Sequence, residues 1–335
     1  MTNRAIASEE LADILAGYAL GTLLVPPEPG GGTANTNLTL ETTEGRFFLK
    51  RRNPKYAHRD FVAFDHRLME HLRACSIVTP LAIHSRSGER WLERDGRIYE
   101  IFPYQPGEAH NRHSLEQLAD AGRSLAAYHR AAGAFAPPSG KEWPRYHDPH
   151  RIREGADSMA DALQARLSGE DFAFLQAQIA RLEREFPGER YQALPKVVVH
   201  GDYHPGNVKF QGVRVSGIFD LDWATLQPRL LDLADGVFLF AGERDSDIDP
   251  CDIVSLTQTW TPSAERTRVF LEAYQETETV TPEEWDALDL AIRARWLYCR
   301  VEGRLKLPEE GRSHYVTDGL LEPLRALDDM AEALW

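Results

Sequence analysis

Three oxygen-bearing side chains stand at intervals suited to phosphoryl chemistry. The segment His200-Gly-Asp-Tyr-His-Pro-Gly-Asn207 is followed by Gly217-Ile-Phe-Asp-Leu-Asp-Trp223. Asp202 and Asn207 lie five residues apart on a turn between two strand-like runs, and Asp220 follows eighteen residues after Asp202 at the end of another strand. A hard Mg²⁺ ion takes oxygen ligands and shares them with nucleotide phosphates, so one carboxylate and one amide oxygen suffice when ATP supplies the rest. Asp220 and Asn207 suit that role. A second carboxylate held off the metal can orient an attacking hydroxyl and accept its proton, which suits Asp202. Asp and Asn also satisfy their own backbones in tight turns, which is the competing reading of all three.

These turns need strands to hold them, and Val197-Val198-Val199, 208–210 and 213–219 supply the pattern. Upstream, Leu38 and Leu40 alternate with polar residues over 37–42, Glu44-Gly45 offers a turn, and 46–51 resumes, predicting a hairpin. In its second strand Phe47 and Leu49 share one face while Phe48, Lys50 and Arg52 share the other, so Arg51 leaves the lysine's side. Pro26, Pro27, Pro29 and Gly30-Gly31-Gly32 break the chain before the hairpin, ending a short helix that Ser8 caps and that reaches Leu20. Phe61, Phe64, Leu68 and Leu72 recur at helical spacing within 56–74. Strands follow at 81–84, 90–93 and 97–102, with Asp95-Gly96 as a hairpin turn.

From Ser114 the pattern becomes helical, and Ser114-Leu-Glu-Gln117 has capping-box form. A Pro/Gly-rich loop over 136–149 leads to helices near 151–167 and 170–186. After the strands of 196–219, helices return near 230–241, 263–275, 282–305 and 315–334, with Thr261-Pro262 and Thr281-Pro282 as cap and first-turn pairs. A strand-rich portion followed by a helical one predicts an α+β chain of two lobes, 1–104 and 105–335.

The chemistry-bearing segments resemble the aminoglycoside phosphotransferase and choline kinase-like family, whose bilobal fold is related to the protein kinases. His200-Gly-Asp202-x4-Asn207 is similar to its catalytic loop, and Ile218-Phe-Asp220-Leu-Asp222 to its metal-binding motif. Phe47-Phe-Leu-Lys50 resembles its first-lobe lysine strand, and Arg229-Leu-Leu-Asp232-Leu-Ala234 the segment after the metal motif. The likeness runs from about Gly30 to Ala234; the C-terminal helices match in general character. It implies a small antiparallel-sheet lobe that binds the nucleotide and a larger, mainly helical lobe that holds the catalytic loop, the metal site and the acceptor. It further implies that Lys50 reaches the α/β-phosphates, that Asp202 is the base, and that Asn207 and Asp220 ligate Mg²⁺. Gly31, Gly32, Thr33 and Asn35 would lie over the phosphates, Pro103 and Gln105 would flank adenine on the linker, and Asp232 would brace the catalytic loop. The acid expected opposite Lys50 aligns best with Asp65, with Glu70 as the alternative, and Asp222 is open between a metal-linked and a structural role. Three adjacent glycines in place of G-x-G-x-x-G, and Asp-Leu-Asp in place of Asp-Phe-Gly, set the chain apart from eukaryotic protein kinases.

Other clusters carry less. His200 and His204 have helical zinc-ligand spacing, but Gly201, Pro205 and Gly206 oppose the helix. Asp245-Ser-Asp247-Ile-Asp249 imitates a calcium loop, yet Pro250 replaces the turn glycine and Leu256 the closing glutamate. Trp260, Tyr274, Trp285, Trp296 and Tyr298 read as packing residues.

Composition narrows the class. The 335 residues carry 38 Lys and Arg against 52 Asp and Glu, a net charge of −14. That balance disfavours nucleic acid and anionic membranes as partners, because phosphate binding needs clustered cations. Fractions of 42% hydrophobic and 27% charged residues are those of an ordinary globular protein. Three scattered cysteines suggest no disulfide framework, no stretch approaches a membrane span, and the acidic start is unlike a secretory signal, so the cytosol is expected. The reading is an ATP- and Mg²⁺-dependent phosphotransferase, with GTP as the other donor, acting on an alcohol of a small molecule. An amino sugar, aminoglycoside, amino alcohol or homoserine-like acceptor is expected, and the acidic C-terminal portion favours a cationic one. The alternatives are a kinase of protein Ser/Thr residues on the same framework and a nucleotide-binding regulatory pseudokinase.

Overall fold

The computed structural model describes residues 6–55, 57–137, 140–143, 145 and 148–334. Tyr56, where the second helix was expected to begin, parts of the 136–149 loop, and residues 1–5 of the acidic start lie outside them. An antiparallel sheet of five strands, in spatial order Glu28–Pro29, Thr36–Thr42, Gly45–Arg51, Arg97–Pro103 and Leu92–Arg94, precedes a mainly helical region. The α+β architecture expected from the pattern is therefore the one observed.

Alternation along the sheet separates two hydrophobic cores. Leu38, Leu40, Phe47, Leu49, Tyr99 and Ile101 pack on one side against Leu11 and Ile14 of the helix Ser8–Ala16. Phe48 and Phe102 face the other way and join the main core, which continues through Phe64 and Leu68 of the helix Arg59–Ala74 into the C-terminal helices. The same alternation sends Arg51 to Glu10, at 2.9 Å, and keeps Lys50 and Arg52 on the inner side. Residues 81–84 form no strand: Ile83 lends one backbone N–H to Ile101, and the chain runs on as a loop.

Three helix starts depart from the pattern. The first helix has Ala7 at its cap with no side-chain bond, Ser8 being its first helical residue. Thr261 pairs by its backbone with Glu243, and Ser263 caps the helix Ala264–Gln275 in its place. Ser114 caps through the Gln117 N–H, but the Gln117 side chain turns to the Asn111 N–H and the Gly212 carbonyl, so the reciprocal half of the box is absent. At Thr281 both halves form, opening the 22-residue helix Pro282–Gly303. Among the described residues no helix is long and apolar enough to cross a membrane.

Candidate active site

Two short sheets set the loop 200–207. Lys196–Val199 pairs with Thr225–Pro228, and Val208–Gln211 pairs with Arg214–Ile218 in a register that matches Val208 with Ile218. One step beyond that pair the Phe219 N–H donates to the Asn207 carbonyl at 2.9 Å. Asn207 and Asp220 thus emerge at the same end of one hairpin. Asp220 itself sits in the left-handed region at φ 61°, a conformation rare outside glycine and found where a site over-determines it.

Between the sheets, Asp232 accepts the backbone N–H groups of His200 at 2.7 Å and Gly201 at 2.8 Å, and is itself held by His129 at 3.0 Å. The Asp202 N–H donates to His200 Nδ1 at 3.2 Å, so the other ring nitrogen carries the proton and donates to the Phe219 carbonyl at 2.8 Å. Burial holds the His200 ring below its ordinary pKa, with Asp232 opposing, and the neutral form fits this pair of bonds. His200 is accordingly a strut between the catalytic loop and the Asp220 strand. Gly201 has φ +79°, and a Cβ there would lie 2.6 Å from the Trp223 carbonyl oxygen.

Asp202 is met from three sides. The Asn207 amide donates to its carbonyl at 2.9 Å, His204 Nε2 lies 3.5 Å from Oδ2, and Arg295 Nη2 lies 3.6 Å from Oδ1. Burial pushes the carboxyl up, but His204 and Arg295 outweigh it and hold Asp202 well below the usual carboxylate range. It is ionised at neutral pH. With Nδ2 of Asn207 committed to the loop, its Oδ1 turns away from it, and the hairpin end offers one amide oxygen and one carboxylate. Those hard oxygen donors fit a Mg²⁺ ion shared with phosphates.

Lys50 Nζ reaches Asp220 Oδ1 at 2.7 Å and Asp222 Oδ1 at 2.8 Å. Burial pulls the ammonium down, but the two carboxylates outweigh it and hold Lys50 above its ordinary value. The carboxylates split in the opposite sense. Burial, Asp222 and Asp202 push Asp220 up against Lys50, whereas Arg52, Lys50 and Lys141 overcome burial and hold Asp222 down. Asp222 is therefore the structural anion of the pair, tied also to Asn35 Nδ2 at 2.7 Å, and Asp220 is the more exposed one, its side chain 36% accessible against 3%.

Neither acid expected opposite Lys50 pairs with it. Asp65 accepts Arg52 at 2.6 Å and Lys141 at 2.5 Å, and Glu70 takes Arg90 at 2.8 Å on the surface. Arg52 shares the inner face of the strand two residues on, and its fork engages both Asp65 and Glu100, so the short aspartate is consumed before it can serve the lysine. Gly31 and Gly32 take left-handed φ values of +80° and +97°, and Asn37 holds the Gly31 carbonyl at 2.7 Å. Thr33 accepts Lys306 Nζ at 3.1 Å, while Asn35 is buried with both ends of its amide engaged. Pro103 closes its strand opposite Phe47, and Gln105 follows on the linker.

Sequence reasoning missed Arg52, Glu100, Lys141, Asp235, Arg295 and Lys306. The first two carried a signal, because alternation places Arg52 beside Lys50 and the strand register sets Glu100 across from it. The other four come from distant segments with no local mark. Asp235 is fully buried and accepts Arg295 Nε, which aims that guanidinium at Asp202.

The profile of the phosphotransferase enzyme family matches residues 27–287. A homoserine kinase of Afipia carboxidovorans is 30% identical over 311 residues, spanning 90% of this chain and 86% of its own, and one of Acidiphilium cryptum is 27% identical over 91% and 89%. The fold is shared with amicoumacin kinase hAmiN in complex with AMP-PNP, Ca²⁺ and Ami, at TM-score 0.69 and 11% identity over 98% and 94% of the two chains. It is shared equally with a microcompartment-associated aminopropanol kinase, at TM-score 0.68 and 15% identity over 98% and 100%. A match of this extent sets aside the protein-kinase and regulatory alternatives: the chain belongs to the phosphotransferase enzyme family and moves a phosphoryl group onto a hydroxyl of a small molecule.

Proposed function

We propose that the chain transfers the γ-phosphoryl group of ATP, in the presence of Mg²⁺, to the side-chain hydroxyl of homoserine or a close hydroxy amino acid, as a cytosolic enzyme. The observation that carries this reading is the meeting of an ionised Asp202, the Asn207–Asp220 oxygen pair and a charged Lys50. The homoserine kinases that match nearly the whole chain support homoserine as the acceptor.

Asp202 holds the acceptor O–H in line with the γ-phosphorus. As the new O–P bond forms, the bond between the γ-phosphorus and its bridging oxygen breaks, ADP leaves, and the hydroxyl proton passes to the carboxylate. A carboxylate held this acidic is a weak base, which suits a loose transition state in which the proton leaves late and most of the rate comes from positioning and charge. Lys50 exchanges Asp220 for the α/β-phosphates, and Gly31, Gly32 and Thr33 cover them with backbone N–H groups. Asn207 and Asp220 would hold Mg²⁺, which would supply further positive charge at the phosphates.

Mg²⁺-dependent transfer of labelled phosphate from ATP and GTP to L-homoserine, amino alcohols and aminoglycosides tests this, with Asp202→Asn beside wild type. Labelled phosphohomoserine is expected, falling at least about 10³-fold in the variant while AMP-PNP still binds. Equal rates for the two proteins would remove Asp202 from its role.

A further inference from the structure

Three side chains missing from the family motifs converge on Asp202 from the helical side. Arg295 and Cys299 lie one turn apart on the helix Pro282–Gly303, and Lys306 follows on the single turn Arg304–Lys306, so that 295, 299 and 306 share one face. Arg295 Nη2 stands 3.6 Å from Asp202 Oδ1, its Nε anchored on the buried Asp235. Lys306 reaches across to Thr33 Oγ1 at 3.1 Å. Lys306 and Cys299 both feel the charge of Asp202.

A chain of net charge −14 has thus set Arg295 beside the carboxylate that receives the acceptor, with Lys306 following on the same face. Aminoglycosides and amino alcohols carry only positive charge to that place, and like charges disfavour them. A homoserine-type acceptor brings a carboxylate three carbon atoms from its hydroxyl, so an O–H on Asp202 and a carboxylate on Arg295 are met by one short molecule. Guanidinium and carboxylate match as a planar fork, and an arginine whose Nε is already fixed loses little freedom on binding.

We propose that Arg295 and Lys306 form the subsite for the acceptor's carboxylate, selecting hydroxy amino acids over amino alcohols and aminoglycosides. The proposal rests on the homoserine-type reading above and reverses the cationic acceptor expected from overall charge. Asp235 is the positioning residue of this subsite. Binding exchanges the Arg295 contact with Asp202 for the substrate's own anion.

The test compares kcat/KM for L-homoserine with that for 2-aminobutane-1,4-diol, in which a hydroxymethyl group replaces the carboxylate. Wild type should favour homoserine by about 10²-fold or more, within the reach of a site built for a polar group, which can reject the analogue lacking it by about 10⁴–10⁵-fold. In Arg295→Gln, and to a lesser degree in Lys306→Gln, that ratio should collapse at least about tenfold, chiefly through the KM of homoserine. AMP-PNP binding checks that each variant is folded. An unchanged ratio in both variants, or a wild type that takes the two acceptors alike, overturns the subsite while leaving the kinase reading intact. Wild type that phosphorylates another alcohol and neither of these overturns the homoserine reading itself.

Discussion

Asp235 shows how single residues of one type acquire different duties here. Asp202 is held acidic by His204 and Arg295, and Asp222 by Arg52 and Lys50, yet Asp235 goes the other way. One of its oxygens takes Arg295, the other is buried without a hydrogen-bond partner, and burial pushes the carboxyl from 3.8 up to about 7. Between those two values the folded protein holds a proton that the unfolded chain has released. Stability from this group is therefore greatest below pH 4 and is lost as pH rises through 7. Urea unfolding at pH 5 and pH 8 should show wild type losing about 1–3 kcal/mol more over that interval than Asp235→Asn, which has no such proton to lose. Parallel pH dependence in the two proteins would mean that Asp235 is ionised throughout and that Arg295 outweighs burial.

At the scale of elements, the loop 200–207 depends on a backbone shape that one residue type accepts. Gly201 combines φ +79° with a Cβ position 2.6 Å from the Trp223 carbonyl oxygen and 3.1 Å from its carbonyl carbon, backbone that cannot swing aside. Gly201→Ala should cost about 1–3 kcal/mol of stability and, by displacing Asp202, lower kcat about 10²-fold, with steady-state kinetics as the check. Wild-type kcat in that variant would show that the loop tolerates the shift. This loop was legible in the sequence because its parts are contiguous: a strand, a glycine, an acid and an amide at fixed spacing. The alternation that sends Lys50 inward and Arg51 outward was legible for the same reason. Pairing was not, since Asp65 and Lys50 lie on separate elements and strand geometry alone does not say that Arg52 takes the aspartate first. Caps failed where a neighbour competed, as at Thr261, whose backbone is drawn into a pair with Glu243, and succeeded at Thr281, where nothing does. Arg295 and Lys306 left no trace, because helical periodicity marks which face is buried and not which distant loop that face meets.

The molecule as a whole is joined by a buried charge network as much as by its cores. Arg52 on the sheet grips Glu100 at 2.6 Å and Asp65 at 2.6 Å on the helix Arg59–Ala74, and it approaches Asp222 at 3.4 Å. Lys141, from the segment before the helical region's second helix, binds the other oxygen of Asp65 at 2.5 Å and the Asp222 carbonyl at 2.7 Å. Sheet, helix, connecting segment and metal-motif turn are thus tied to one another through side chains with almost no access to water. A complete network of this kind adds little net stability, but removing one member leaves its partners charged and buried, which costs about 3–5 kcal/mol. Burial already pulls Lys141 below its ordinary pKa against the favourable charge of Asp65, so losing that carboxylate exposes the penalty in full. Asp65→Asn should lower the unfolding free energy by about that 3–5 kcal/mol. Because the network and the main core both cross from the sheet into the helices, unfolding should remain one event. Fluorescence of Trp91, stacked on His66 beside the sheet, and of Trp260 and Trp296 in the helical region should change in step with far-ultraviolet circular dichroism. A wild type that melts in two separated steps would show that the charges at Asp65 and Asp222 merely touch across a boundary.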